Sequence, residues 1–164
     1  MNAKLETKVN RGLRMLILVL SIGLCLLAAG CGMTESSAPE RARILTQEEV
    51  TAVFADEDLL LLEGEEVPGA VFQLELNGVK PQLYVLNGVE LPIYQFSSAE
   101  ERAAGWKAFG EQTATADLVP YQAYQEDSIL MFYVHGESVQ EGLKWNGQLD
   151  RQLKAAVQGL VAAQ

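Results

Sequence analysis

Residues 71–96, VFQLELNGVKPQLYVLNGVELPIYQF, carry the reading that decides the fold. Two Asn-Gly pairs, Asn77-Gly78 and Asn87-Gly88, divide the stretch into the apolar-rich runs VFQLEL, QLYVL and ELPIYQF. Asn and Gly tolerate the positive φ that two-residue hairpin turns require, so the spacing predicts a three-stranded antiparallel meander. In the first run Val71, Gln73 and Glu75 alternate with Phe72, Leu74 and Leu76, which predicts one packed face and one wet face. Pro81 and Pro92 stand near strand starts, where a missing N–H costs least.

Upstream of this stretch, Thr46 and Glu49 have the spacing of a capping box, and Leu45 and Val50 form its hydrophobic staple. With Val53 and Phe54 continuing one apolar face, a helix is expected over about 47–57. Leu59 to Leu62 is a short apolar run after an acidic cluster and reads as a buried strand. Downstream, Ser97 and Ser98 both qualify as helix caps, with Glu101 or Glu100 in the N3 role. Ala99, Ala103, Trp106 and Phe109 then recur at helical spacing, and Gly110 is expected to end that helix.

Residues 111–127 give no clear period. SILMFYVH, residues 128–135, is almost wholly apolar and reads as a central strand. A last helix over about 148–162, approached through Asn146-Gly147, places Leu149, Leu153, Val157 and Leu160 on one stripe. Helices and strands in this order predict an α+β domain, a two-layer sandwich whose mostly antiparallel sheet has helices packed on one face. The similarity of Leu76-Asn77-Gly78-Val79 to Leu86-Asn87-Gly88-Val89 is explained by two like turns rather than by a duplicated domain.

The start of the chain has a different character. Lys4, Lys8, Arg11 and Arg14 precede the apolar run Met15 to Leu27, and small residues follow up to Cys31. The run is shorter than the ~20 residues of a transmembrane helix and fits the apolar region of a signal peptide. The series Leu27-Ala28-Ala29-Gly30-Cys31 resembles the lipobox of bacterial lipoproteins, with Ala28 in place of the commoner leucine. That resemblance implies cleavage before Cys31, diacylglycerol on its thiol, and a protein anchored on the extracytoplasmic face of the cell membrane. It divides the chain into a signal peptide at 1–30, a lipidated cysteine and flexible tether at 31–43, and an extracellular domain at 44–164. Since Cys25 leaves with the signal peptide and Cys31 takes lipid, the exported domain retains no free thiol for a disulfide, a metal or nucleophilic catalysis.

The chain holds 12 basic and 22 acidic side chains; the leader removes four and one, leaving 8 against 21 and a net charge near −13. Nucleic acid and anionic lipid both need clustered Lys and Arg, so neither is an expected partner of the domain's surface. From LNGVKPQLY through ELPIYQFSSAEER, with SILMFYVH later, the domain resembles a recurrent type among uncharacterised lipoproteins of Gram-positive bacteria. The likeness rests on the strand ending Tyr94-x-Phe96, the Ser/Glu-started helix behind it, and the apolar strand reaching Tyr133. It brings no catalytic residues with it.

Chemistry-bearing motifs are sparse. The one histidine, His135, stands beside Gly136, Glu137 and Ser138, but no G-x-S-x-G elbow accompanies it. A strand-end surface position or a ligand contact therefore accounts for it better than a triad does. Glu63, Glu65 and Glu66 flank Gly64 without the spacing of a calcium loop, H-E-x-x-H is absent, and no Gly-rich phosphate loop occurs. Glu48, Glu49, Glu100 and Glu101 already serve helix starts.

Aromatic residues supply the remaining lead. Tyr84, Tyr94 and Phe96 share the meander, and Tyr121, Tyr124, Phe132, Tyr133 and Trp145 follow; any that emerge together on an open sheet face would offer a surface for a peptide, glycan or protein. Alternation divides them between faces, and Trp106 and Phe109 read as helix-core residues. Tyr84, Tyr94 and His135 are the ligand-contact candidates, without a cofactor, a metal or a catalytic residue. The expectation is a lipid-anchored, noncatalytic module that binds or supports an envelope protein, peptide or glycan. The alternatives are a small envelope hydrolase using His135 with an acidic or serine partner, and a solute-binding lipoprotein.

Overall fold

Asn87 (φ 53°) and Gly88 (φ 79°) close a two-residue hairpin whose positive dihedrals match the right-handed twist of the strands they join. In the computed structural model, which describes residues 41–135 and 146–164, that hairpin joins β2 (Gln82–Leu86) to β3 (Val89–Gln95). The expected signal peptide, Cys31 and most of the expected tether lie outside the described residues, as do Ser138 and Trp145. Tyr84 pairs with Leu91 and Gln82 with Ile93, in the register that the turn dictates.

The element order is α1 (Gln47–Asp56), β1 (Leu61–Glu63), a single 3₁₀ turn (Val71–Gln73), β2, β3, α2 (Ala99–Gln112), β4 (Gln122–Glu126), β5 (Ile129–Tyr133) and α3 (Gly147–Ala163). The sheet runs β1-β2-β3-β5-β4 and every pairing is antiparallel. This is the expected α+β class, an antiparallel sheet with helices packed against it. The expected single-faced layer is formed by α1 and α3, and α2 adds a layer on the opposite face.

Strand alternation explains that division. Leu91, Ile93, Ile129, Met131 and Tyr133 face α1 and α3, where Val50, Phe54, Leu153 and Leu160 complete one core. Tyr94, Phe96, Leu130 and Phe132 face the other way and pack with Phe109 and the half-buried Trp106 of α2. β5 is buried along its whole length because neighbours cover both of its sides, as an all-apolar strand requires.

VFQLEL is not a strand. The edge position beside β2 is taken by β1, so the meander is β1-β2-β3 and residues 71–76 belong to its connection. They cross the α2 side of the sheet as a 3₁₀ turn, burying Phe72 and Leu76 there. The Tyr94 hydroxyl lies 3.0 Å from the Phe72 carbonyl and 2.7 Å from that of Leu74, sharing its proton between groups that a strand partner would otherwise satisfy. Asn77 and Gly78 still form a tight turn, but it spans only the Leu76–Val79 pair.

Two further boundaries differ from expectation. α2 continues through Gly110 to Gln112, because Gly110 keeps helical dihedrals and Thr113 closes the helix by donating its hydroxyl and its N–H to the Phe109 carbonyl at 2.7 and 3.0 Å. The unpatterned 111–127 segment ends in β4, joined to β5 around Asp127 (φ 40°) and Ser128.

The helix starts follow their caps. Thr46 and Glu49 form a reciprocal capping box, Ser98 accepts from the Glu101 N–H at 3.2 Å, and Asn146 accepts from the Gln148 and Leu149 N–H groups at 2.9 and 3.0 Å. The domain's contacts begin earlier than residue 44: the Ala42 N–H donates to the Ser97 carbonyl at 3.0 Å, and Arg43 pairs with Glu49 at 2.9 Å.

Candidate functional site

β1 is one edge of the sheet, and its register shows what that edge presents. Leu61 pairs with Leu86, Leu62 with Val85 and Glu63 with Tyr84, while the Gly64 N–H donates to the Leu83 carbonyl at 2.9 Å. In an antiparallel ladder alternate residues bond alternate sides, so Leu62 shares Gly64's bonding direction towards β2 and Leu61 and Glu63 turn their N–H and C=O groups outward. Among the described residues these outward groups have no hydrogen-bond partner.

The side chains of this edge divide by face. Leu61 is in the α1–α3 core, and Glu63, two residues on, lies on the same side. Leu60 and Leu62 project to the other side and are 75% and 58% exposed. Val67 is 55% exposed, so among the described residues three of the five large apolar side chains most open to solvent belong to residues 60–67. β4, the opposite edge, carries Gln122, Gln125 and Glu126, polar groups that keep a sheet edge from pairing indiscriminately.

At the end of β1 a hollow of about 300 Å³ opens between Glu63, Glu66, Gln47, Gln82 and Tyr84. Gly64 makes it feasible, because a Cβ there would stand 2.8 Å from the Leu83 carbonyl carbon, and without one the strand end hugs β2 before turning away. Gln73 then holds the acidic loop in place. Its Oε1 accepts from the Val67 N–H at 2.8 Å, and its Nε2 donates to the Glu65 carbonyl at 3.2 Å and to the Glu90 carboxylate at 2.7 Å.

Tyr84 is buried with its hydroxyl donating to Gln82 Oε1 at 2.9 Å, and Gln82 Nε2 donates on to the Leu45 carbonyl at 3.0 Å. Burial, reinforced by the charge of Glu63, pushes the Tyr84 phenol up to about 12, so it stays protonated at neutral pH. The hollow thus offers two carboxylates, two amide side chains and a neutral phenol. Such a lining suits a cation or a hydrogen-bonding group.

A second hollow, about 370 Å³, lies between β4 and α3 at Tyr124, Glu126, Lys154 and Gln158. Its lysine is already engaged: Lys154 bonds Asp150 at 2.7 Å and holds that carboxyl below its usual range, while the Tyr124 hydroxyl donates to Asp150 at 3.2 Å.

The three ligand-contact candidates do not converge. Tyr84 reaches the hollow, whereas Tyr94 is fully buried on the opposite face as the brace of residues 72–74. Burial, together with Glu90, raises the Tyr94 phenol far above its usual range. His135 follows β5, half-buried, with its ring 6.1 Å from that of Tyr133. The open aromatic sheet face is absent among the described residues: Tyr84, Tyr124 and Tyr133 fill one core, and Tyr94, Phe96 and Phe132 the other. Sequence reasoning weighed Gly64 and its flanking glutamates only as a calcium loop, and missed Gln47 and Gln82, which the fold brings to them from α1 and β2.

Among the described residues no three His, Cys, Asp or Glu side chains gather as a metal ion would require, and no helix is long and apolar enough to cross a membrane. The fold and the site define an α+β domain built on a five-stranded antiparallel sheet with one apolar, acid-flanked edge. No protein-family model, curated protein or solved structure matches the chain.

Proposed function

We propose that this chain is a lipoprotein of the bacterial envelope, anchored through Cys31, whose domain is a noncatalytic module for binding or supporting another envelope component. The observation that carries the reading is Leu27-Ala28-Ala29-Gly30-Cys31 after a basic, apolar leader. Acyl chains on Cys31 contribute ~0.8 kcal/mol per buried methylene, so two or three chains hold where one is marginal. The domain's attachment is consistent with tethering: Ala42, Arg43 and Leu45 are hydrogen-bonded to Ser97, Glu49 and Gln95, so a pull on the anchor is borne by the end of β3 and the start of α1. The hollow beside β1, with its carboxylates, amides and neutral phenol, gives a cationic or hydrogen-bonding group partners to meet.

The test is intact mass spectrometry of the membrane fraction beside Cys31→Ser. The expected wild-type protein lacks residues 1–30, carries diacylglycerol mass and resists high-salt extraction, because its hold is acyl burial rather than charge. The serine variant lacks the lipid mass. An unlipidated wild-type chain with Met15 to Gly30 still attached overturns the assignment in favour of a signal anchor.

A further inference from the structure

We infer that the β1 edge docks an extended peptide segment of alternating basic and apolar residues, which adds to the sheet as a sixth strand. The inference names the partner class for the binding module proposed above, but its geometry belongs to the domain alone. Three independent features of one short segment define the occupant.

The first is the outward N–H and C=O of Leu61 and Glu63, which a strand at the usual ~4.8 Å spacing would pair. The second is the exposed apolar pair Leu60 and Leu62 on one side of the edge. The third is the acidic hollow, with Glu63 and Glu66, on the other. Because side chains of a docked strand alternate, one set lies beside Leu60 and Leu62 while the other lies beside Glu63 and the hollow. Apolar residues satisfy the first position and Lys or Arg the second. A lysine stem is long enough to reach from the new strand into a hollow of about 300 Å³ and meet carboxylates, amide oxygens and the Tyr84 phenol.

A second copy of the chain is the poorer occupant. Pairing two copies edge to edge would set two acidic surfaces against each other, in a chain whose net charge is already −10, whereas a basic peptide answers that charge.

The experiment uses the full chain in detergent and a labelled six-residue peptide alternating lysine and valine. Its controls are a block peptide of the same composition and the alternating peptide N-methylated at every second amide. Fluorescence anisotropy reads binding, and amide hydrogen exchange reads where it occurs. The alternating peptide is expected to bind at least ~10-fold more tightly than either control, and Glu63→Lys with Glu66→Lys should cost at least ~10-fold. On binding, the Leu61 and Glu63 amides should gain protection while that of Leu62, already in the ladder, changes little.

Equal binding of the block or N-methylated peptide overturns the inference, because charge alone would then account for attraction. So does undiminished binding to the double variant, or self-association that the peptide does not displace. The outcome is separable from anchoring: a lipidated chain that ignores the peptide overturns the docked strand alone, and an unlipidated chain that binds it overturns the anchor alone.

Discussion

The side chain of Gln95 pairs with the backbone of Leu45 as a neighbouring strand would: Leu45 N–H donates to Oε1 at 2.8 Å, and Nε2 donates back to the Leu45 carbonyl at 3.1 Å. Both residues are buried, so the amide satisfies backbone groups that water cannot reach. It fastens the start of the domain to β3.

Gln95→Ala should therefore destabilise the domain by ~1–3 kcal/mol, since it strands the Leu45 N–H; the carbonyl keeps Gln82 as a donor. Urea denaturation measures the loss, and exchange of the Leu45 amide localises it. A change below ~0.5 kcal/mol would mean that the pairing adds nothing to the fold.

Leu153 is fully buried on the inner stripe of α3 among Leu149, Val157 and Leu160. Leu153→Ala should cost ~2–5 kcal/mol, the range for emptying a packed leucine site. Chemical denaturation checks it. A smaller loss would imply that α3 relaxes into the space.

Gly105 is where α2 packs on Phe96, just past β3: a Cβ there would stand 2.3 Å from Phe96 Cζ. Alanine ordinarily gains ~1 kcal/mol over glycine within a helix. Here Gly105→Ala should instead lose ~1–3 kcal/mol net, because the Phe96 ring is itself buried and must shift. Gly110→Ala is the control: nothing lies within 4 Å of its Cβ position, so the helical gain should appear there. Thermal melts of the two variants should move in opposite directions.

Arg43, hydrogen-bonded to the Glu49 carboxylate, and the Thr46 backbone N–H lower that carboxyl from its ordinary 4.5 to about 2. A depressed folded-state value means the contribution is complete above pH 4.5 and is lost as pH falls through 2. Glu49→Gln keeps a capping side chain without the charge. It should flatten the stability profile across that window, read as melting temperature against pH; parallel profiles would refute the assignment.

Burial raises the phenols of Tyr84, Tyr94 and Tyr133, with Glu63 and Glu90 adding to the first two. Raised folded-state values mean their contribution is complete below the ordinary 10.0; Tyr84's part is lost as pH climbs through about 12. Near-ultraviolet titration should show a late phase that includes Tyr84, Tyr94 and Tyr133, coincident with loss of circular dichroism. Ionisation of all five in one early phase would contradict the burial.

The residues that act within a turn or two of themselves were readable in order. Thr46 with Glu49, Ser98, Asn87-Gly88 and the stripe from Leu149 to Leu160 each declared a cap, a hairpin or a packed face, because their hydrogen bonds and periods are local. The proposal of a leader ending at Cys31 rests on the same kind of locality, since a signal peptide is recognised as a linear sequence. What the sequence could not express was competition for position. VFQLEL has the alternation of a strand, but β1 holds the place beside β2, and the Tyr94 hydroxyl satisfies carbonyls that a strand would have paired. β4 is polar and short and became a strand through pairing with apolar β5. The alternation of β5 showed two apolar faces, yet only packing sent α2 to one and α1 with α3 to the other. The β1 edge follows from the same cause: whether a strand has a neighbour depends on non-local pairing, and that decides which backbone groups and which leucines remain open.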